Sequence, residues 1–154
     1  HIKNLFLRDK KRKKWLVTVP EDANATGIII PWSAELGFRL LSVGDGLCSL
    51  RLPWRPDLSG SNGGIASGAI ASLIDHACGA AVMSRLERVS ISTLNLKIDH
   101  IRLPTARSPV TAWAHCYRVS EIMTFVRAEV WDTDPAEVFA AAQGVFSINR
   151  GVAA

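Results

Sequence analysis

The sequence has no uncharged apolar run near the roughly 20 residues that cross a bilayer, so no membrane-spanning helix is expected. It has only three cysteines, Cys48, Cys78 and Cys116. Their odd number and their spacing fit neither a zinc site nor a dithiol motif, which points to reduced thiols in a cytoplasmic protein. No G-x-S-x-G, P-loop or G-x-G-x-x-G motif is present, so nucleophile-elbow, nucleotide-triphosphate and dinucleotide chemistry lose their usual signatures. His100 and His115 fall in strand-like stretches without Cys or Glu partners at ligand spacing, and no metal or redox cofactor is expected. The five tryptophans form no stacking series for bases. The N-terminal stretch lacks the apolar centre of a secretory signal, so export is not expected.

What is present is an ordinary globular composition, 48% hydrophobic and 21% charged, which excludes wholesale disorder. At 154 residues the chain reads as one domain, large enough to fold without disulfide or metal staples. The formal charge of +4 is unevenly spread: residues 1–14 carry a net +6, leaving −2 for the rest. We therefore read a basic N-terminal tail over 1–19 and a single domain over 20–150. The domain has no cationic excess with which to wrap a polyanion, so nucleic acid is not expected as its partner. The tail reads as a solvated arm, with phosphate-bearing ligands, anionic membranes or nucleic acid as alternatives.

Along the domain, Ser33–Leu36 reads as a turn of helix. Gly37–Val43 and Leu47–Leu52 flank Gly44-Asp45-Gly46, whose glycines supply the positive φ of a tight hairpin. Pro53–Asn62 is punctuated by Pro, Gly and Ser and reads as a loop. From Gly64 to Leu86 there is no proline, and the apolar residues cover every side of the expected helix. Such a helix is buried all round. Strand-like stretches follow at Ile91–Leu103, Pro109–Val119, Phe125–Asp132 and Val138–Ile148. In the first, Leu94, Leu96 and Ile98 alternate with Thr93, Asn95, Lys97 and Asp99. Short turns between strands demand antiparallel pairing. The expected architecture is α+β: a curved antiparallel sheet around one helix, with a second subunit covering what the sheet leaves open.

Asp75 is the leading candidate for chemistry. A carboxylate among Ile, Leu and Ala is desolvated at a cost of several kcal/mol, and that environment suits a general base or nucleophile working near neutrality. Two alternatives stay open at this point: Asp75 caps a neighbouring loop, or it pairs with an arginine such as Arg102 or Arg127. The second candidate is the helix start, where Gly63, Gly64, Ser67 and Gly68 leave amides facing outward. With the positive helix end, they are able to hold a developing oxyanion. An ordinary close-packed, glycine-rich N-terminus is the alternative.

Gly68 and Asp75 lie seven residues apart, roughly 10 Å along a helix axis at about 1.5 Å per residue. A single carbonyl cannot reach both, so a site using both requires two antiparallel helices from two protomers. His76, about 100° around the helix from Asp75, and Cys78 read as packing residues.

Three segments carry a resemblance: Leu36-Gly37-Phe38, Gly64-Ile65-Ala66-Ser67-Gly68-Ala69-Ile70-Ala71-Ser72-Leu73-Ile74-Asp75, and Thr93-Leu94-Asn95-Leu96-Lys97-Ile98-Asp99-His100-Ile101-Arg102. Together they resemble the hotdog-fold acyl-CoA thioesterases, most of all the phenylacetic-acid-degradation (PaaI-like) branch, over residues 34–148. The resemblance implies a long central helix wrapped by an antiparallel sheet, paired into homodimers and often homotetramers with sites at the dimer interface. It implies hydrolysis of an acyl-CoA, aryl or medium-chain, to free acid and CoA. Asp75 matches the acidic base or nucleophile, Thr93 the Ser/Thr that holds the attacking water, and Ser67 with Gly68 the oxyanion-binding amides. The family's common His-Gly-Gly is Ala66-Ser67-Gly68 here. Its loop Asn or Gln falls at Gly60, with Asn62 two residues on as a substitute. Arg102, Arg127 and Arg150 are candidates for the CoA phosphates. The missing histidine makes a non-catalytic acyl-CoA-binding module the alternative.

Overall fold

A computed structural model describes residues 17–18 and 31–151. Apart from Val17–Thr18, the basic tail lies outside the described residues, and nothing further is assigned to it. The elements in chain order are β1 (Val17–Thr18), α1 (Pro31–Leu36), β2 (Arg39–Gly44), β3 (Leu47–Leu52), α2 (Ser67–Met83), β4 (Ser90–His100), β5 (Val110–Val119), β6 (Met123–Trp131) and β7 (Ala140–Asn149). A single 3-10 turn, Pro56–Leu58, sits in the β3–α2 connection. The strands form one antiparallel sheet in the order β1-β2-β3-β5-β6-β7-β4. One long helix against an unclosed, curved antiparallel sheet is the expected hotdog architecture.

Local chemistry explains the elements. The β2–β3 hairpin turns at Asp45 and Gly46, both with positive φ (+45° and +83°), the conformation that matches the twist of the flanking strands. Gly46 is required for a second reason: a Cβ there would lie 2.6 Å from the Arg85 side chain and 3.0 Å from the Cys116 carbonyl. In α2, Ile70, Leu73, Ile74, Ala77, Cys78, Ala80, Ala81 and Val82 are buried. They pack on the inward residues of the strands, including Leu50, Leu52, Ala112, Ala114, Val126, Ala128 and Val130. The three cysteines are free and buried in this core. Burial pushes the Cys48 thiol up to about 12 and those of Cys78 and Cys116 upward as well.

Two expectations need correction. The helix is not buried all round in the single chain: Ala71, Ser72, Asp75, His76 and Gly79 are only half-buried, and Ser67 and Gly68 are exposed. The sheet covers one side of α2, and the side bearing Asp75 stays partly open. The second correction concerns β4, whose alternation does not run unbroken through Leu94, Leu96 and Ile98. A β-bulge lies between Thr93 and Asn95, since these oppose the consecutive β7 residues Phe146 and Val145. Leu94 is the extra residue and is 58% exposed. The bulge moves the apolar phase by one position. Ile91 packs on the core before it and Leu96 and Ile98 after it. Without that shift Thr93 and the later apolar residues would not share the helix-facing side.

Candidate functional site

The bulge has a direct consequence at Asp75. Thr93, on β4, donates its hydroxyl hydrogen to Asp75 Oδ1 at 2.8 Å, linking the half-buried helix carboxylate to the edge strand. One turn further along α2, Gly79 faces Ile91 and Phe146: a Cβ there would lie 3.8 and 3.9 Å from their side chains, at ordinary contact distance. So α2 runs antiparallel to β4, with Asp75 beside Thr93 and Gly79 beside Ile91. Asp75 takes no arginine partner among the described residues. Arg102 binds Asp132 instead, and Arg127 lies on the opposite face of the sheet.

His76, next in sequence, points elsewhere. Its Nδ1 lies 3.0 Å from the Ser33 hydroxyl, and its ring packs against Phe38 at 5.4 Å between centroids. Burial holds its pKa below the ordinary imidazole value, against the pull of nearby Asp75. This histidine ties α1 to α2. Trp32 makes a similar tie through its indole N–H to Ser72 Oγ at 3.2 Å.

The helix start is narrower than expected: the helix begins at Ser67, and the amides of Gly63 and Gly64 do not face outward but donate to the Gly60 carbonyl and to Asn62 Oδ1. Ala66 is the N-cap residue, without a side-chain cap, and its own amide is taken by the Leu58 carbonyl at 2.8 Å. Ser67 and Gly68 are the first two helical residues, and amides at these positions have no acceptor within a helix. A Cβ at Gly68 would meet nothing within 4 Å, so the space beside it is open. Ser67 and Gly68 remain about 10 Å along the helix axis from Asp75, at about 1.5 Å per residue. The chain does not bring the two groups together by itself.

The loop candidates are internally engaged. Gly60 donates its amide to the Gly64 carbonyl at 2.7 Å and accepts from the Gly63 amide at 3.0 Å, forming a tight turn. Asn62 donates through Nδ2 to the Pro104 carbonyl at 2.9 Å and accepts from the Gly64 amide at 3.3 Å. Both ends of its amide are committed to the shape of the loop.

Arg102 is not a free cation. Its guanidinium grips Asp132 with two hydrogen bonds of 2.9 Å and donates to the carbonyls of Leu103 and Glu137 at 3.0 and 3.2 Å. It also lies 5.3 Å from the Phe139 ring centre. The guanidinium holds the Asp132 carboxyl well below the usual carboxylate range. Arg127 lines a cleft of about 280 Å³ on the outer sheet face with Lys97, Asp99, Glu129 and Gln143. Its Nη2 lies 3.4 Å from His115 Nδ1. Arg150 donates to the Glu121 carbonyl at 3.4 Å. None of the three arginines converges on Asp75 within the chain.

Sequence reasoning passed over Asp132, which it placed only as a strand end. The local signal was an Asp followed directly by Thr133 after a strand, a pattern suited to side-chain capping of a turn. Its arginine partner lies 30 residues away and could not be assigned from spacing. Among the described residues no group of three or more His, Cys, Asp or Glu is placed to hold a metal ion. No described helix is long and apolar enough to cross a membrane.

The family model described as the thioesterase superfamily matches residues 62–139, a span that includes Asn62, the helix start, Asp75, Thr93 and Asp132. A protein of Halobacterium salinarum that carries the name of an esterase is 32% identical over 127 residues, covering 75% of this chain and 82% of the relative. Among solved structures, a conserved protein of Pseudomonas aeruginosa is 30% identical with a TM-score of 0.71, over 78% of this chain and 94% of that one. The E. coli PaaI protein from the phenylacetic acid degradation operon shares the fold, with a TM-score of 0.70 at 18% identity over 77% of this chain and 83% of that one. On its sequence and on its fold alike, the chain belongs to the thioesterase superfamily.

Proposed function

We propose that this protein hydrolyses acyl-CoA thioesters to a free acid and CoA, at a site shared between two protomers. The observation that carries the reading is the 2.8 Å hydrogen bond from Thr93 to a half-buried Asp75 on the open side of α2. A carboxylate at that position is half-exposed, oriented by a hydroxyl, and carried on the side of the helix that the sheet leaves uncovered.

In the hydrolytic step, Asp75 takes a proton from a water held by Thr93. The water oxygen bonds to the thioester carbonyl carbon, and the carbonyl electrons move onto its oxygen. Amides of Ser67 and Gly68 from the facing protomer receive that oxyanion. The intermediate then re-forms its C=O bond and expels the sulfur, which takes the proton held by Asp75 and leaves as CoA thiol. Direct attack by the carboxylate is the variant of this scheme; it forms a mixed anhydride that water then hydrolyses.

A dimer is favoured by the separation of Asp75 from the helix start and by the state of β4. This strand pairs with β7 alone among the described strands, which leaves its other edge free to continue the sheet. The exposed Leu94, Ile101 and Leu103 follow that edge and the segment after it.

The test is thiol release from a panel of aryl- and alkyl-CoA esters, comparing the native protein with Asp75→Asn. Turnover that collapses in a folded variant of unchanged oligomeric state supports the mechanism. Turnover that survives leaves the activity and removes Asp75 from it. Saturable acyl-CoA binding by both proteins without turnover favours the non-catalytic module, a reading that the residue at position 66 keeps in play: alanine offers neither a cap nor a polar group there.

A further inference from the structure

We propose that Asp132 is a positioning residue for the start of α2, acting through the 101–109 segment and Asn62. In its use of activity as a readout this rests on the thioesterase reading above. The carboxylate lies at the end of β6 with its side chain fully enclosed. It accepts from Arg102 twice at 2.9 Å, from the Thr105 amide at 2.8 Å and from the Thr133 amide at 2.7 Å. Residues 101–109 have no regular structure, and an exposed connection of this kind is ordinarily mobile. Here Asp132 fastens it at both Arg102 and Thr105.

The fastened segment is the seat of the loop before α2. The Pro104 carbonyl accepts from Asn62 Nδ2 at 2.9 Å, and the Arg107 amide donates to the Gly63 carbonyl at 3.0 Å. Trp54 donates its indole N–H to that same Gly63 carbonyl, also at 3.0 Å. The fit leaves no room: a Cβ on Gly64 would lie 2.7 Å from the Pro104 carbonyl oxygen and 2.9 Å from its ring. From Gly64 the chain reaches the N-cap Ala66 in two residues and then the amides of Ser67 and Gly68. An unbroken chain of contacts therefore runs from Asp132 through Thr105 and Pro104 to Asn62, Gly64 and the helix start. Oxyanion donors tolerate little displacement, and a shift of about 1 Å costs on the order of a hundredfold in rate.

The experiment uses the full chain and the variants Asp132→Asn, Asn62→Ala and their combination. Each single change is expected to lower kcat by roughly ten- to a hundredfold with KM held within about twofold, and the double variant to fall no further than the worse single one. Hydrogen exchange at the bonded amides of Gly60, Gly63 and Ala66 is expected to quicken at least tenfold in Asp132→Asn, with the α2 centre unchanged. A folded Asp132→Asn with native kcat, effects that multiply in the double variant, or a rise in KM alone for Asn62→Ala overturns the proposal. If Asp132→Asn does not fold, Arg102→Lys keeps the charge, loses the bidentate fork and is read in the same ways. If the native protein releases no thiol from any ester, the thioesterase reading fails and exchange decides. Faster exchange confined to 60–66 then upholds the clamp, and unchanged exchange refutes it.

Discussion

Thr124 offers a test in which the expected sign runs against the usual effect of a core substitution. Its side chain, inward on β6, is fully buried, and its hydroxyl oxygen has no hydrogen-bond partner among the described residues. Removing a hydroxyl from water without a replacement bond costs about 1–3 kcal/mol on the scale of protein mutational data. Thr124→Val removes that cost, keeps the β-branched shape that a strand favours, and places a methyl group against the core. The native state should gain about 1–2 kcal/mol. At roughly 2–4 °C per kcal/mol for a domain of this size, the melting temperature should rise by about 2–8 °C. Urea unfolding followed by tryptophan fluorescence measures it: the midpoint should move up with the slope unchanged. A midpoint that stays or falls would refute the reasoning, because it would mean that the hydroxyl holds a bond worth more than its desolvation.

Other consequences follow from the polar contacts. Asp132 has a depressed folded-state pKa, so its stabilising contribution is complete above the ordinary aspartate value near 3.9 and is lost as pH falls below it. The stability gap between the native protein and Asp132→Asn should therefore be widest above about pH 5 and narrow steadily on acidification, as read from urea midpoints at several pH values. Two glycines four residues apart should separate: Gly64→Ala forces its Cβ into Pro104 and should cost about 1–3 kcal/mol. Gly68→Ala meets nothing in the chain and should leave stability equal or raise it by up to about 1 kcal/mol, while lowering thioester turnover by crowding the open space. Thr93→Val removes a hydroxyl bonded to a carboxylate, worth about 1.5–3 kcal/mol, and should lower kcat/KM by roughly ten- to a hundredfold. Thr93→Ser should retain most of the activity.

Much of the architecture is legible from local signals. The hairpin at Asp45-Gly46 and the proline-free run before Leu86 mark the turn and the central helix because φ preference and helix propensity act over a few residues. The antiparallel pairing of β5 with β6 and of β6 with β7 follows from the short connections between them, but the place of β4 does not: it pairs with β7 and not with the strand that follows it. Asp75 stands out because a charge amid Ile, Leu and Ala is conspicuous in any register. What stayed hidden depends on contacts distant in sequence. The bulge at Leu94 is invisible to a period-two reading, since its apolar residue fits the alternation that it breaks. Arg102 reads as a free cation until Asp132, 30 residues on, is placed against it. Asn62 reads as a polar group facing a ligand until Pro104 is seen to accept its amide. The open side of α2 is legible only in outline: one sheet cannot cover every side of an apolar helix, but the sequence does not say that the uncovered side is the one bearing Asp75.

The strand order also sets a timetable for assembly. Strands β5, β6 and β7 join in succession through short turns, so their pairing can begin as each is made. Strand β4 is made before all of them, yet its only described partner is β7, with Ser90 opposite Asn149. During synthesis the segment bearing Thr93 must wait until some 50 further residues have emerged before its ladder can close, and such long-range pairings are the slow ones. Until then the ladder that fixes Thr93 in register is incomplete. The strand that carries Thr93 is thus secured only by the last of the described strands, and β7 is the closing seam of the sheet.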